Sequence, residues 1–112
     1  MIGERAKKDV ENKIGTKDDH DKLDYTLVDP YWEEEVVKVL KAGQVKYERG
    51  NWQRALDQKR ILSALIRHTI AIQKGEEFDR ESGLRHSAHI ACNSMFLNYH
   101  ERHGTPVEGE YE

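Results

Sequence analysis

The chain is poor in cysteine: Cys92 stands alone among 112 residues. One cysteine cannot form an internal disulfide, so a reducing, cytoplasmic setting is expected. Long apolar runs are missing too. Nothing approaches the ~20 residues that cross a bilayer, and no apolar stretch follows Met1, so neither a membrane span nor a secretory leader is expected. Excess base is lacking: 18 Lys and Arg against 21 Asp and Glu leave a net charge of −3. That excludes a general electrostatic binder of a nucleic-acid polymer, which needs surplus cations to neutralise phosphates. There is no GxGxxG, no GKT or GKS phosphate loop and no Gly-x-Ser-x-Gly elbow. Sustained strand alternation and internal repeats are also absent.

What remains is 37 % hydrophobic and 35 % charged, in a length that suits one domain. A core this thin favours oligomerisation, and a homo-oligomer is expected. Residues 1–24 read as a flexible charged arm, because Ile2, Val10, Ile14 and Leu23 are its only large aliphatic residues. The domain then occupies 25–104, with Tyr25, Leu27 and Val28 as a short extended lead-in. Residues 105–112 read as a frayed acidic tail.

The periodicity predicts an all-α fold, a small bundle of three principal helices near 30–42, 53–74 and 82–102. The first opens on an Asp29 cap and Pro30, with Glu33, Glu34 and Glu35 in the early turns where the helix dipole favours anions. Its stripe is Val36, Val37, Val39 and Leu40, and Gly43 ends it. The second carries Leu56, Ile61, Leu62, Leu65, Ile66, Ile70 and Ile72, ending at Gly75. Apolar on more than one side, it is expected to be the central helix. The surface of Leu62, Ile70 and Ile72 exceeds what two short neighbours can cover, which points to a two-fold dimer. The third helix presents Leu84, Ala88, Ala91, Cys92, Met95, Phe96 and Tyr99. Leu40, Ile61, Leu65, Ile66, Ala88, Cys92 and Met95 are the expected core.

Chemistry concentrates on the third helix. His86, His89, Asn93 and His100 fall on one face at ~100° per residue. A His-x-x-His pair can bring two imidazoles to one metal ion; the plainer reading is a partly exposed polar face. Just upstream, Glu76, Glu77, Asp79 and Glu81 crowd one loop. Asp79 or Ser82 can simply cap the helix, or the carboxylates can complete a metal site with the imidazoles. A mixed Asp/Glu/His shell suits Mn²⁺, Zn²⁺ or Fe²⁺ better than Mg²⁺. His68 lies near the buried face of the second helix, where a histidine is more often a satisfied core residue than a ligand. Its neighbour Arg67 asks for an anionic partner, of which phosphate is one. Between the first two helices, Tyr47 and Trp52 have rings that can stack on a base, with Lys46 or Arg49 toward phosphate. For Trp52, plugging the corner between helices is the plainer role. Cys92 reads as a small buried thiol rather than a nucleophile.

Taken in order, Leu27-Val28-Asp29-Pro30, Ala42-Gly43-x-x-Lys46-Tyr47-x-x-x-Asn51-Trp52, Arg67-His68, and Gly75-Glu76-x-x-Asp79-x-Glu81-Ser82-Gly83-Leu84-x-His86-x-x-His89-x-x-Cys92-Asn93 form a specific set. From about Leu23 to Tyr99 the chain resembles the phage-encoded dATP/dGTP diphosphohydrolase-like family. The resemblance implies hydrolysis of a purine deoxynucleoside triphosphate to the monophosphate and pyrophosphate with a divalent metal. It also suggests an all-α architecture similar to MazG-type nucleotide pyrophosphohydrolases. Those enzymes use Glu-x-x-Glu on one helix and Glu-x-x-Asp on another. Here Glu76-x-x-Asp79 sits in a loop, and His86-x-x-His89 stands where the second acidic pair would be. An HD-type phosphohydrolase fits worse, because the only adjacent His-Asp pair, His20-Asp21, lies in the arm.

The reading is therefore a metal-dependent nucleotide hydrolase acting in a phage-infected cytoplasm. His68, Asp79, His86 and His89 are the candidate metal ligands, for Mg²⁺, Mn²⁺ or another transition metal. Glu76 and Glu81 are the candidate catalytic carboxylates. Lys46, Tyr47, Asn51, Trp52 and Arg67 are the candidate substrate contacts. The alternative is a non-enzymatic helical accessory module that binds a protein partner, with structural or interface histidines.

Overall fold

A computed structural model describes residues 20–54 and 57–104. The expected arm up to residue 19, the tail from 105, and Leu56 lie outside the described residues. Among those described the fold is all-α. A 3₁₀ turn at Tyr25–Leu27 leads into α1 (Pro30–Gly43), then α2 (Asn51–Arg54), α3 (Gln58–Gln73) and α4 (His86–His103). Helix α1 starts where its sequence dictates: Asp29 accepts a hydrogen bond from the Tyr31 N–H at 3.0 Å, and Pro30 needs no donor at its position.

Three expectations about the form or start of an element need correction. The Tyr25–Leu27 lead-in is a 3₁₀ turn rather than extended, because Asp24 caps it by accepting from the Thr26 N–H at 3.0 Å. The second predicted helix begins at Gln58 and not near residue 53. Asp57 supplies a stronger start, its carboxylate accepting from the Arg60 N–H at 2.8 Å, and Asn51–Arg54 forms a separate turn. The third predicted helix begins at His86 and not at 82. Residues 76–85 fold into a tight loop instead, closed by the Asp79 N–H to the Leu84 carbonyl at 2.8 Å and the His86 N–H to the Glu77 carbonyl at 3.0 Å. Gly83, at φ +74°, takes a conformation that L side chains rarely adopt, which keeps the segment out of the helix. One antiparallel bridge, Phe78 to Arg85, is the only β pairing among the described residues.

The central helix is α4, not α3 as the sequence suggested. Helices α1, α2 and α3 each pack on α4. The small side chains of Ala88 and Cys92 let neighbours approach it, and with Ile61 of α3 and Val36 of α1 they form the buried apolar core. Leu40 and Leu65 are half-buried. Ile66 and Met95, expected in the core, are 57 % and 37 % exposed. For Ile66 the reason is geometric. Helix α3 is covered by α4 on one side only, so the Leu62–Ile66–Ile70 row faces outward. Burial raises the Cys92 thiol to about 12, which keeps it protonated and unreactive. No helix of the described residues is long and apolar enough to cross a membrane.

Candidate metal centre

Helix α3 ends in a hydrogen-bonded reversal that brings the acidic loop back over its own last turns. The Gly75 N–H bonds the Ile72 carbonyl at 2.9 Å and the Glu76 N–H bonds the Ala71 carbonyl at 3.0 Å, with Gly75 at φ +89°. This paired 5→2 and 6→1 arrangement is a Schellman cap, which requires the left-handed residue that glycine supplies. Next, Asp79 accepts from the Ser82 N–H at 2.9 Å, a turn that aims its carboxylate inward. The loop then delivers the chain to His86 at the first position of α4.

His68 from α3, Asp79 from the loop and His86 from α4 converge: one donor atom of each lies within 4.8 Å of the others. The Nδ1 atoms of His68 and His86 are 2.8 Å apart. Two imidazole nitrogens this close require a shared proton or a shared cation between them. His86 is buried, and its Nε2 has no hydrogen-bond partner. The nearest carboxylate to that atom belongs to Glu76, at 3.8 Å.

His89 joins the same cluster from the next turn. Its ring stacks on His68, centroids 4.5 Å apart and planes 8° from parallel. Its Nε2 lies 2.7 Å from Ser82 Oγ and 3.7 Å from Asp79 Oδ2. Because Ser82 Oγ already accepts from the Leu84 N–H, its own proton is free to go to His89. Burial lowers the pKa of both His68 and His89, His68 further through the neighbouring imidazoles, so both favour the neutral form that ligation needs. Burial alone would raise Asp79. The bonds from Ser82 and the facing imidazoles win and hold it below the ordinary carboxylate range. The cluster is thus one carboxylate held anionic beside three imidazoles, two of which are held neutral.

The other candidates fall elsewhere. Glu81 is exposed and ion-paired with Lys46, tying the turn after α1 to the acidic loop and raising the lysine pKa. Tyr47 stands 58 % exposed in that turn. Asn51 opens α2 with its N–H on the Glu48 carbonyl at 3.0 Å. Trp52 is half-buried, stacked on Phe96 at 4.6 Å and edge-on to Tyr99 at 5.0 Å, so its ring serves packing. Arg67 points to the outer side of α3, where it bonds Ser63 Oγ at 3.0 Å and shares a shallow groove with Lys59, Leu62 and Ile66. His100, buried at the far end of α4, sits 2.9 Å from the Trp52 carbonyl oxygen, a contact that places its proton on Nε2. Sequence reasoning gave Ser82 no role beyond a cap. The Asp79-x-x-Ser82-Gly83 spacing, an aspartate able to accept from the N–H three residues on and then a glycine, was the signal for a loop that turns the serine back toward His89.

An all-α chain with a His/Asp cluster between two helices is a class rather than an identity, and comparison with known sequences narrows it. The chain belongs to the family described as dATP/dGTP diphosphohydrolase, N-terminal, which matches residues 12–109. It is similar to a dATP/dGTP diphosphohydrolase of Salmonella phage PMBT28, 43 % identical over 83 residues. That alignment covers 74 % of this chain and 28 % of the relative, so the chain spans little more than a quarter of the relative's length. No solved structure matches.

Proposed function

We propose that this chain serves the hydrolysis of purine deoxynucleoside triphosphates to monophosphate and pyrophosphate, with a divalent cation on His68, Asp79 and His86. The observation that carries this reading is the convergence of those three donors from three separate segments, with two imidazole nitrogens 2.8 Å apart. Family membership and the activity for which the phage relative is named support the substrate class.

A cation bound there would polarise the triphosphate and lower the pKa of an attacking water. The chain's own groups do the rest. Water attacks the α-phosphorus, the bond to the bridging oxygen of the β-phosphate breaks, and pyrophosphate leaves with that oxygen. His89 is the base nearest the cluster: Ser82 Oγ, 2.7 Å from its Nε2, would take the proton that water gives up and pass its own to the imidazole. Of the two carboxylates expected to act, Glu76 faces the cluster, whereas Glu81 serves by holding Lys46 over the loop. Lys46 supplies charge for the phosphoryl oxygens. Such an enzyme would work in the cytoplasm of an infected cell, and the outward row of α3 would seat a second copy.

The test is pyrophosphate release from dATP, dGTP, dCTP and dTTP with Mn²⁺, for the wild type and His86→Ala. The proposal expects purine-selective release that the substitution abolishes. A second reading is favoured by one fact, the 28 % coverage of the relative. In it the chain is a metal-binding helical module that acts only beside a separate catalytic part. Metal binding without turnover by this chain would select that reading.

A further inference from the structure

The proton inventory of His86 leads beyond the ligand set. For both imidazoles to offer Nδ1 to one cation, each must carry its proton on Nε2. His86 Nε2 is buried and without a partner, an expensive position for an N–H donor. The one carboxylate facing it is Glu76, whose Oε2 lies 3.8 Å away. Glu76 is partly exposed and reaches Arg80 at 3.5 Å, so its side chain has room to close the remaining gap. The Schellman cap fixes its backbone directly under the cluster.

We infer that Glu76 is the outer carboxylate of a carboxylate–histidine–metal relay, accepting the His86 Nε2–H and locking Nδ1 toward the cation. In that role Glu76 is a positioning residue rather than a ligand. The inference rests on the metal reading above and adds a consequence. The donor set becomes two imidazole nitrogens and the Asp79 carboxylate, with Glu76 withheld from the ion. Nitrogen donors favour Zn²⁺ or Co²⁺ over Mg²⁺, which prefers an all-oxygen shell. The site should therefore take a borderline transition cation tightly and Mg²⁺ weakly.

The experiment uses the metal alone, with no nucleotide. Co²⁺ is titrated into the full chain and followed by its visible absorption, with Zn²⁺ and Mg²⁺ as competitors, for wild type, Glu76→Gln, Glu76→Ala and Glu81→Gln. Circular dichroism of each metal-free variant controls for folding. Loss of an outer carboxylate is expected to weaken Co²⁺ binding by about 10–100-fold. Glu76→Gln, which keeps a carbonyl acceptor, should fall between wild type and Glu76→Ala, and Glu81→Gln should match wild type. Mg²⁺ should fail to displace Co²⁺ where Zn²⁺ succeeds. Equal Co²⁺ affinity in wild type and Glu76→Ala would overturn the inference while leaving the metal site standing. Displacement of Co²⁺ by equimolar Mg²⁺ would overturn the choice of cation. Absence of Co²⁺ binding to the wild type would remove the metal reading itself.

Discussion

Helix α4 buries a histidine near each end, and the two are treated differently. His100, at the Trp52 end, is 1 % exposed, hydrogen-bonded to a backbone carbonyl and edge-on to the Tyr99 ring at 5.5 Å. His86, at the loop end, is 5 % exposed and faces a second imidazole and a carboxylate. Each ring keeps one buried nitrogen without a hydrogen-bond partner, Nδ1 of His100 and Nε2 of His86, so the two differ in their neighbours and not in how fully they are satisfied. Same residue type, same helix, same face, fourteen positions apart. The difference lies in what the neighbouring elements bring. Helix α2 brings a backbone carbonyl, which takes one ring N–H and offers no ionisable group. The 76–85 loop and α3 bring ionisable groups, the Glu76 carboxylate and the His68 imidazole. A shared helical face is therefore no guide to a shared role.

The comparison can be broken or sharpened by substitution. The largest stability effect is expected outside both ends, at the seam that joins them. Ile61→Ala, at the 1 % exposed side chain where α3 meets α4, should cost about 2–5 kcal/mol in urea unfolding. A loss below about 0.5 kcal/mol would show that this seam does not hold the fold. His100→Ala comes next. It strands the Trp52 carbonyl and opens a hole at a 1 % exposed side chain, and should cost about 1–3 kcal/mol with no change in metal affinity. Reduced metal affinity in that variant would mean that the two ends are coupled.

Acid should act on the His86 end. Burial depresses His68 and His89 below the ordinary imidazole value of 6.5. Between that value and the depressed ones the unfolded chain binds more protons, so stability rises with pH in this window. The contribution is complete above about 6.5 and is lost as pH falls through the folded values. Asp79, also depressed, adds a further loss at more acid pH. The melting temperature of the metal-free protein should accordingly fall below about pH 6.5. His68→Gln combined with His89→Gln should flatten that fall, and an unchanged slope would assign it to other groups. The smallest effect is expected at Ile66, 57 % exposed on the outer row of α3. Ile66→Ser should change monomer stability by no more than about 0.5 kcal/mol. Light scattering of wild type and variant then tests whether this row seats a second copy.

How much of this the sequence foretold follows a physical pattern. Local signals were legible. Asp29-Pro30 opened α1 where expected, the all-α class followed from periodicity, and Ile61, Ala88 and Cys92 are buried as anticipated. Signals that compete were not. Asp57 and the Asn51 segment each open a helix, and apolar spacing alone does not show the break between them. The Asp79-x-x-Ser82-Gly83 turn was read as a helix start, because a capping side chain looks the same before a turn and before a helix. Centrality went to the greasier helix, whereas small residues gave α4 the closer neighbours. In the site, the spacing of His86 and His89 pointed to one face. Which nitrogen faces what depends on α3 and the loop, and no one-dimensional pattern contains that.

The central claim is that the His86 end binds a metal ion and the His100 end does not. Calorimetric titration of Zn²⁺ into the wild type, His86→Ala and His100→Ala tests it most directly. The account predicts one equivalent bound by the wild type and by His100→Ala with matching affinity, and loss of at least about 100-fold in His86→Ala, from removal of an inner ligand and its relay together. Equal Zn²⁺ affinity in all three proteins would contradict it.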